Sequence, residues 1–269
     1  MTTYYDGPDL QDTVFAAIQA AGGDTQVIDP DDLAGIDEFH ALGRAGTLAL
    51  ARLAHITPGS RVIDVGAGIG GPARALARHF GAYVTAAEPT ERFAALARTL
   101  TARAGLGAQV TVVHTDGSTL PLPDGSFDLA WTQAVWQSVE EKHALAVEIR
   151  RVLASGGRLA MFELVGDGRE VHFPVPWGNG PADSFVPTEP ELRNLLENAG
   201  LQVDVWLSGE DAQGTLVAAA SDSTHMSTGL PGVGLELLMP DFAERMAGLA
   251  RNVEEGRISL LLAVLSRID

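Results

Sequence analysis

One stretch constrains this chain more than any other: Val62-Ile63-Asp64-Val65-Gly66-Ala67-Gly68-Ile69-Gly70-Gly71-Pro72. An apolar run closed by an acid, then glycines, then a proline reads as a buried strand, a tight turn and a helix start. The glycines let backbone N–H groups approach a ligand where a Cβ would collide. Pro72 suits the first turn of the following helix, where its missing N–H costs nothing. Such a strand–loop–helix unit is a cofactor site, and its neighbours must say for which cofactor.

Gly66, Gly68 and Gly71 satisfy G-x-G-x-x-G, the dinucleotide fingerprint, which is weak when it stands alone. Asp64 points elsewhere. At the strand's end a carboxylate receives a cationic amino group but repels a pyrophosphate at the helix N-terminus. A second apolar run, Tyr83 to Ala87, is followed by Glu88, 22 residues beyond Gly66. That spacing suits a grip on ribose hydroxyls, which NAD and S-adenosylmethionine (SAM) share. A third run, Val110 to His114, leads into Thr115-Asp116-Gly117, whose carboxylate can accept from an adenine amino group. Leu120-Pro121-Leu122-Pro123-Asp124-Gly125-Ser126-Phe127-Asp128 follows.

Taken in order, these motifs resemble the class I SAM-dependent methyltransferases. The subgroup resembled is the ubiquinone/sterol/tocopherol and sarcosine–dimethylglycine type of small-molecule enzyme. The resemblance covers residues 36–207, and more loosely the rest. It implies SAM as cofactor, S-adenosylhomocysteine (SAH) as product, and no metal. It implies that Gly66, Ala67 and Gly68 appose the methionine part, Ala67 through its backbone, and that Glu88 holds the ribose. Asp116 and Gly117 take the adenine edge, and Gln133, in Trp131-Thr132-Gln133, lies near the sulfonium. Pro89 follows Glu88 with no N–H to offer the adenine. Glu38-Phe39-His40-Ala41-Leu42-Gly43-Arg44 resembles a Phe-His-x-Gly-Gly-Arg region, in which Arg44 pairs with the cofactor's carboxylate. The bland alternatives are turn-forming carboxylates for Glu88 and Asp116, a cap on the loop amides for Asp64, and a helix-surface arginine at 44. The chain departs from its relatives in Ala67, where many have cysteine, and in Ala86-Ala87-Glu88-Pro89, which replaces Gly-x-Asp/Glu.

Strands alternating with helices imply a parallel sheet with right-handed crossovers. The strands are read at 61–65, 83–87, 110–114, 127–132, 157–165, 202–207 and 258–268. The helices are read at 9–21, 35–55, 71–80, 90–104, 138–154 and 188–199, with 209–256 mainly helical and a helix at 241–255. The resemblance implies that the last strand runs antiparallel inside the sheet. The expected fold is therefore α/β, a Rossmann-like doubly wound seven-stranded sheet with six parallel strands. N-terminal helices (1–57) form a lid region over a SAM-binding domain (58–269). That domain carries a cap insertion at 166–187 and a helical segment at 209–256. The cap contains Asp167-Gly168, Pro174, Pro176, Gly178, Gly180, Pro181 and Pro187, and a loop of this length in a compact domain is usually functional. It is expected to close over the acceptor.

With 269 residues and 46% hydrophobic content the chain can build a large core. It has no run of the ~18 uninterrupted apolar residues that a membrane span needs. It opens without the pattern of a secretory leader. It has no cysteine, which fits a cytoplasmic protein. The net charge of −17 argues against nucleic acid, whose binders present basic patches, and against an anionic membrane surface. Lys142 is the only lysine among eighteen basic residues, a bias typical of a GC-rich bacterial gene.

Methyl transfer is an in-line displacement, helped by alignment and by water exclusion. A general base is needed only where the nucleophile loses a proton. The candidates are His40, His114, His143, Glu163 and His172. His114 reads as a sheet residue and His143 as a surface residue. Glu163, closing the fifth strand, and His172, inside the cap, are left as catalytic candidates. Tyr4-Tyr5 is a candidate lid, and Trp177 a candidate pocket wall beside Trp131 and Trp136. The expected activity is methyl transfer to a small, partly apolar metabolite of secondary metabolism, with O, N and C acceptors all open. The alternatives are a SAM-fold protein recruited for a cyclisation, an NAD-linked oxidoreductase, and a cofactor-free interaction module.

Overall fold

The computed structural model describes residues 10–40, 43–115, 119–221 and 229–269. In chain order the elements are α1 (Leu10–Ala20), α2 (Ala34–Asp37), α3 (Gly43–Leu53), β1 (Arg61–Val65), α4 (Gly71–Phe80), β2 (Tyr83–Glu88), α5 (Glu91–Arg103), β3 (Val110–His114) and β4 (Phe127–Gln133). They continue with α6 (Lys142–Val152), β5 (Leu153–Gly166), α7 (Glu189–Asn198), β6 (Leu201–Ser208), α8 (Gly209–Ser221), α9 (Phe242–Glu254) and β7 (Ile258–Arg267).

The central strands β1, β4 and β5 are largely apolar on both faces because helices cover both. Alternate residues feed opposite cores. Val62, Leu129, Trp131, Ala160 and Phe162 pack with Leu50, Leu76 and Leu216 on one side. Ile63, Val65, Ala130 and Met161 pack with Ile149, Leu192 and Leu196 on the other. The sheet order is β3-β2-β1-β4-β5-β7-β6. The pairs β1–β2, β1–β4, β2–β3 and β4–β5 are parallel, and β7 runs antiparallel between β5 and β6. Six strands thus point one way and the last the other, as expected. The connection direction reverses between β1 and β4, which places a ligand crevice at their carboxyl ends.

Three expectations are corrected. The helix read from 35 to 55 is broken: α2 stops at Asp37 and α3 begins at Gly43, whose φ is +51°. The break turns Glu38 and His40 inward. The helix read at 138–154 separates into a 3-10 turn, Trp136–Ser138, and α6, because the extended backbone of Val139 (φ −100°, ψ 119°) breaks the helical run. Within 209–256, the described residues 229–241 between α8 and α9 hold only turns and the short 3-10 turn Leu235–Leu237.

A third apolar cluster joins Val14, Ile18, Leu33 and Ile36 of the N-terminal region to Ile69, Leu96 and Leu100. It seats that region beside the glycine loop. The segment 167–187 leaves the end of β5 and returns through a bridge between Gly166 and Thr188. It packs on α9. The buried Arg245 donates to the Val175 carbonyl at 2.7 Å, and Asn252 exchanges hydrogen bonds with the backbone of His172 at 2.9 and 2.8 Å.

Candidate functional site

At Gly66 (φ +75°) a Cβ would lie 2.7 Å from Val135 Cγ2, so no side chain fits. At Gly68 (φ +55°) a Cβ would meet nothing within 4 Å, so this face of the loop is open. The N–H groups of Gly66 and Ala67 donate to the Ala87 carbonyl at 2.8 and 3.1 Å. Gly68 N–H donates to Glu88 Oε2 at 2.8 Å, and Thr90 N–H to Glu88 Oε1 at 2.8 Å. Glu88 therefore ties the loop to the end of β2. Its burial raises its pKa against the pull of those two amides. The Pro89 carbonyl lies 3.0 Å from His114 Nε2. His114 Nδ1 is 2.6 Å from Glu91; this histidine is the last residue of β3, paired with Glu88 in the sheet as read from the sequence, and its side chain is exposed at the ligand end. Asp116 and Gly117 lie outside the described residues, as do Tyr4 and Tyr5.

Asp64 is 2% exposed at the end of β1. Its carboxyl takes the Ala73 amide, while Oδ2 has no hydrogen-bond partner. Burial, with Glu38 and Glu88 nearby, pushes it up to about 8. A cation placed beside Oδ2 would supply the missing partner and reverse that shift.

Arg44 is buried, not on a helix surface. Its Nε donates to Glu38, its Nη2 to Asp37 Oδ2 at 3.1 Å and its Nη1 to Asp31 Oδ1 at 3.4 Å. Asp37 also takes Nη2 of Arg74, whose Nη1 donates to the Ile69 carbonyl inside the glycine loop at 2.7 Å. A Cβ at Gly71 would sit 2.2 Å from the Asp37 carbonyl oxygen. The N-terminal segment is thus built into the loop. Asp37 and Arg74 escaped the sequence reading because an arginine in Gly71-Pro72-Ala73-Arg74 looks like an ordinary helix-surface residue. Gly71 was the only trace.

Gln133, at the end of β4, accepts from Trp131 Nε1 at 2.8 Å. Its Nε2 lies 3.1 Å from His40 Nε2. That histidine nitrogen is also 2.9 Å from Glu38 Oε2 and 3.0 Å from Thr47 Oγ1, and the ring packs edge-on against Phe162 at 5.2 Å. Burial alone would raise Glu38, but the bonds from His40 and Arg44 outweigh it and hold the carboxyl at about 2.

Glu163 is 1% exposed near the end of β5. Its Oε2 accepts from the amides of Val135 at 2.8 Å and Trp136 at 3.2 Å, and Oε1 has no hydrogen-bond partner. Burial pushes the group up to about 7, against the Thr132 hydroxyl and the two amides. His172 stands elsewhere. Its Nε2 pairs with Glu255 Oε2 at 2.8 Å, where the cap meets α9, and none of its hydrogen bonds joins it to Glu163. Trp177 donates to Ser184 Oγ at 2.9 Å and braces the cap. Trp131 and Trp136 are wholly buried, and His143 is exposed.

Residues 63–161 match the family described as "Methyltransferase domain". A sterol 24-C-methyltransferase of Gibberella zeae is 33% identical over 161 residues, 54% of this chain and 42% of that protein. The chain spans less than half the length of the first three curated relatives it matches. Among solved structures, the [4+2]-cyclase SpnF superposes with a TM-score of 0.63 at 21% identity, covering 96% of this chain and 94% of that one. Geranyl diphosphate C-methyltransferase from Streptomyces coelicolor A3(2) superposes with a TM-score of 0.59 at 16% identity, covering 98% and 99%. Family match, strand order and glycine loop agree: residues 63–161 carry the methyltransferase domain, set in a sheet of the class I SAM-dependent methyltransferase fold.

Proposed function

We propose that this protein transfers a methyl group from SAM to a small-molecule acceptor and releases SAH. The observation that carries this reading is Asp64, a buried acid with an unpartnered oxygen beside the glycine loop. The site fits the cofactor. Asp64 receives its ammonium, the open face of Gly68 admits the methionine chain, and Glu88 keeps lone pairs for ribose hydroxyls. Gly66, Ala67 and Pro89 form backbone walls, Asp116 and Gly117 take the adenine, and Gln133 lies toward the sulfonium. Arg44 holds Glu38 and Asp37 in place, with the cofactor's carboxylate as a further partner. When bound, SAM supplies a methyl group made electrophilic by a sulfonium.

The residues of the chain align the acceptor, exclude water beneath the 166–187 cap, and take a proton where the nucleophile has one to lose. Glu163 is the proposed base and His172 the second candidate. Relatives named for sterol and geranyl diphosphate methylation support a partly apolar acceptor. Among the described residues no helix is long and apolar enough to cross a membrane. The net charge of −17 argues against nucleic acid and against an anionic membrane surface as partners. The likeness to a cyclase over nearly the whole chain favours a second reading, in which SAM is bound but not consumed.

Calorimetry with SAM, SAH and NAD, followed by SAH release during turnover, tests the reading. Micromolar SAM binding without NAD binding is expected. Preference for NAD overturns it, and substrate conversion without SAH release transfers the protein to the cyclase reading.

A further inference from the structure

The turn that follows β4 holds two buried oxygens that accept nothing. Gln137 is 2% exposed, and its Nε2 donates to the Ala134 carbonyl. Only one orientation of the amide permits that bond, so Oε1 is its unpartnered atom. Glu163 spends Oε2 on the amides of Val135 and Trp136, which leaves its own Oε1 unpartnered. Both side chains are therefore anchored to the same turn, Ala134–Gln137. Ala134 holds φ +54° without being glycine, a strain of about 1–3 kcal/mol that tends to persist at functional sites.

The turn lies between the glycine loop and the 167–187 segment. On one side Val135 presses against Gly66 of the glycine loop. On the other, Phe185 of the cap donates its N–H to the Gln137 carbonyl at 2.8 Å. The nearby donors are engaged: Ala134 N–H bonds the Phe162 carbonyl, Ser138 N–H the Val135 carbonyl, and Trp136 Nε1 the Thr132 hydroxyl. A group that fits here brings hydrogens, not lone pairs.

We propose that the acceptor is a hydroxyl compound of phenol or enol type, methylated on oxygen, whose reacting O–H donates to Glu163 Oε1 while a second donor binds Gln137 Oε1. This rests on the methyl-transfer reading. An alkene carbon nucleophile brings no such donor. An ammonium arrives charged and must lose a proton before it reacts. The Glu163 carboxyl, pushed up to about 7, is matched to take a phenolic proton at physiological pH. The hydroxyl oxygen forms its bond to the methyl carbon as the carbon–sulfur bond breaks, and the hydroxyl proton passes to Glu163. Sulfonium and carboxylate become neutral thioether and neutral acid, so charge and atoms balance.

The test uses the full chain labelled with ¹³C-carboxyl glutamate and loaded with SAH, after calorimetry has established SAH binding. Phenol is titrated beside anisole, toluene and aniline, and the Glu163 resonance is assigned from its loss in Glu163→Gln. Phenol is expected to shift that resonance and to bind at least about tenfold tighter than anisole, the scale of one hydrogen bond to an ionised group. Catechol should bind tighter than phenol, and Gln137→Met should erase that difference. Equal binding of phenol and anisole, an unmoved Glu163 resonance, or preference for aniline overturns the proposal. Failure to bind SAH removes the methyl-transfer reading instead, so the two failures are distinguishable.

Discussion

Replacing Asp64 with asparagine should change how the stability of the cofactor-free protein depends on pH. Asp64 is wholly buried, and its carboxyl is raised from 3.8 to about 8, first by loss of solvent and then by Glu38 and Glu88. The sign follows from proton binding. Between pH 4 and 8 the folded protein keeps a proton that the unfolded chain has lost, so stability falls as pH rises through that window. At about 1.4 kcal/mol per unit, the rise amounts to roughly 5–6 kcal/mol once pH exceeds the folded value. Relaxation around an ionised Asp64 will trim the upper end, so the slope is the quantity to measure. Asparagine keeps the shape and the bond from the Ala73 amide but cannot ionise. Urea unfolding of both proteins at several pH values between 4.5 and 8.5 gives the two slopes. The wild type should lose stability faster by up to about 1.4 kcal/mol per pH unit, and the variant should be the more stable protein at pH 8. Parallel curves would refute the placement of an unpaired acid at this position. The same variant should bind SAM more weakly by about 1.5–3 kcal/mol, because the cofactor's ammonium loses a charged partner.

Glu88→Ala should also weaken SAM by about 1.5–3 kcal/mol, and an unchanged dissociation constant would leave Glu88 as a residue that only ties the loop to β2. Gly71→Ala should force the Asp37 carbonyl away, since the new Cβ would lie 2.2 Å from it. The expected result is a loss of about 1–3 kcal/mol and faster proteolysis within residues 30–47; wild-type protection there would contradict the docking. His172→Ala should lower turnover less than tenfold, because the ring pairs with Glu255; a loss of about 10²–10⁴-fold would return the role of base to His172.

Much of this architecture is readable from local pattern. The runs at 61–65 and 110–114 form strands with those limits: β1 is central and buried after Arg61, while β3 is an edge strand whose valines are mixed with the polar Thr111 and His114. The helix at 71–80 matches as well: Pro72 begins it and Gly81, at φ +66°, ends it. Acids at the carboxyl ends of β1 and β2 marked Asp64 and Glu88, because the carboxyl edge of a parallel sheet is where ligands bind. Glu163 was legible for the same reason. His172 was named on its place in an irregular loop, and loop composition does not say which way a side chain turns.

The sequence by itself determined the class of fold, the order of the strands' apolar signals and the position of the glycine loop, since each depends on residues adjacent in the chain. Tertiary structure alone decided the polar interior. Asp37 meets Arg74, Glu38 meets Arg44, His40 meets Gln133 and Gln137 shares a turn with Glu163 only once helices and strands have packed. In isolation each of these residues has the polarity of a surface position. A charge or amide is stable inside a protein only when a partner from elsewhere in the chain arrives beside it, and no local pattern announces that meeting.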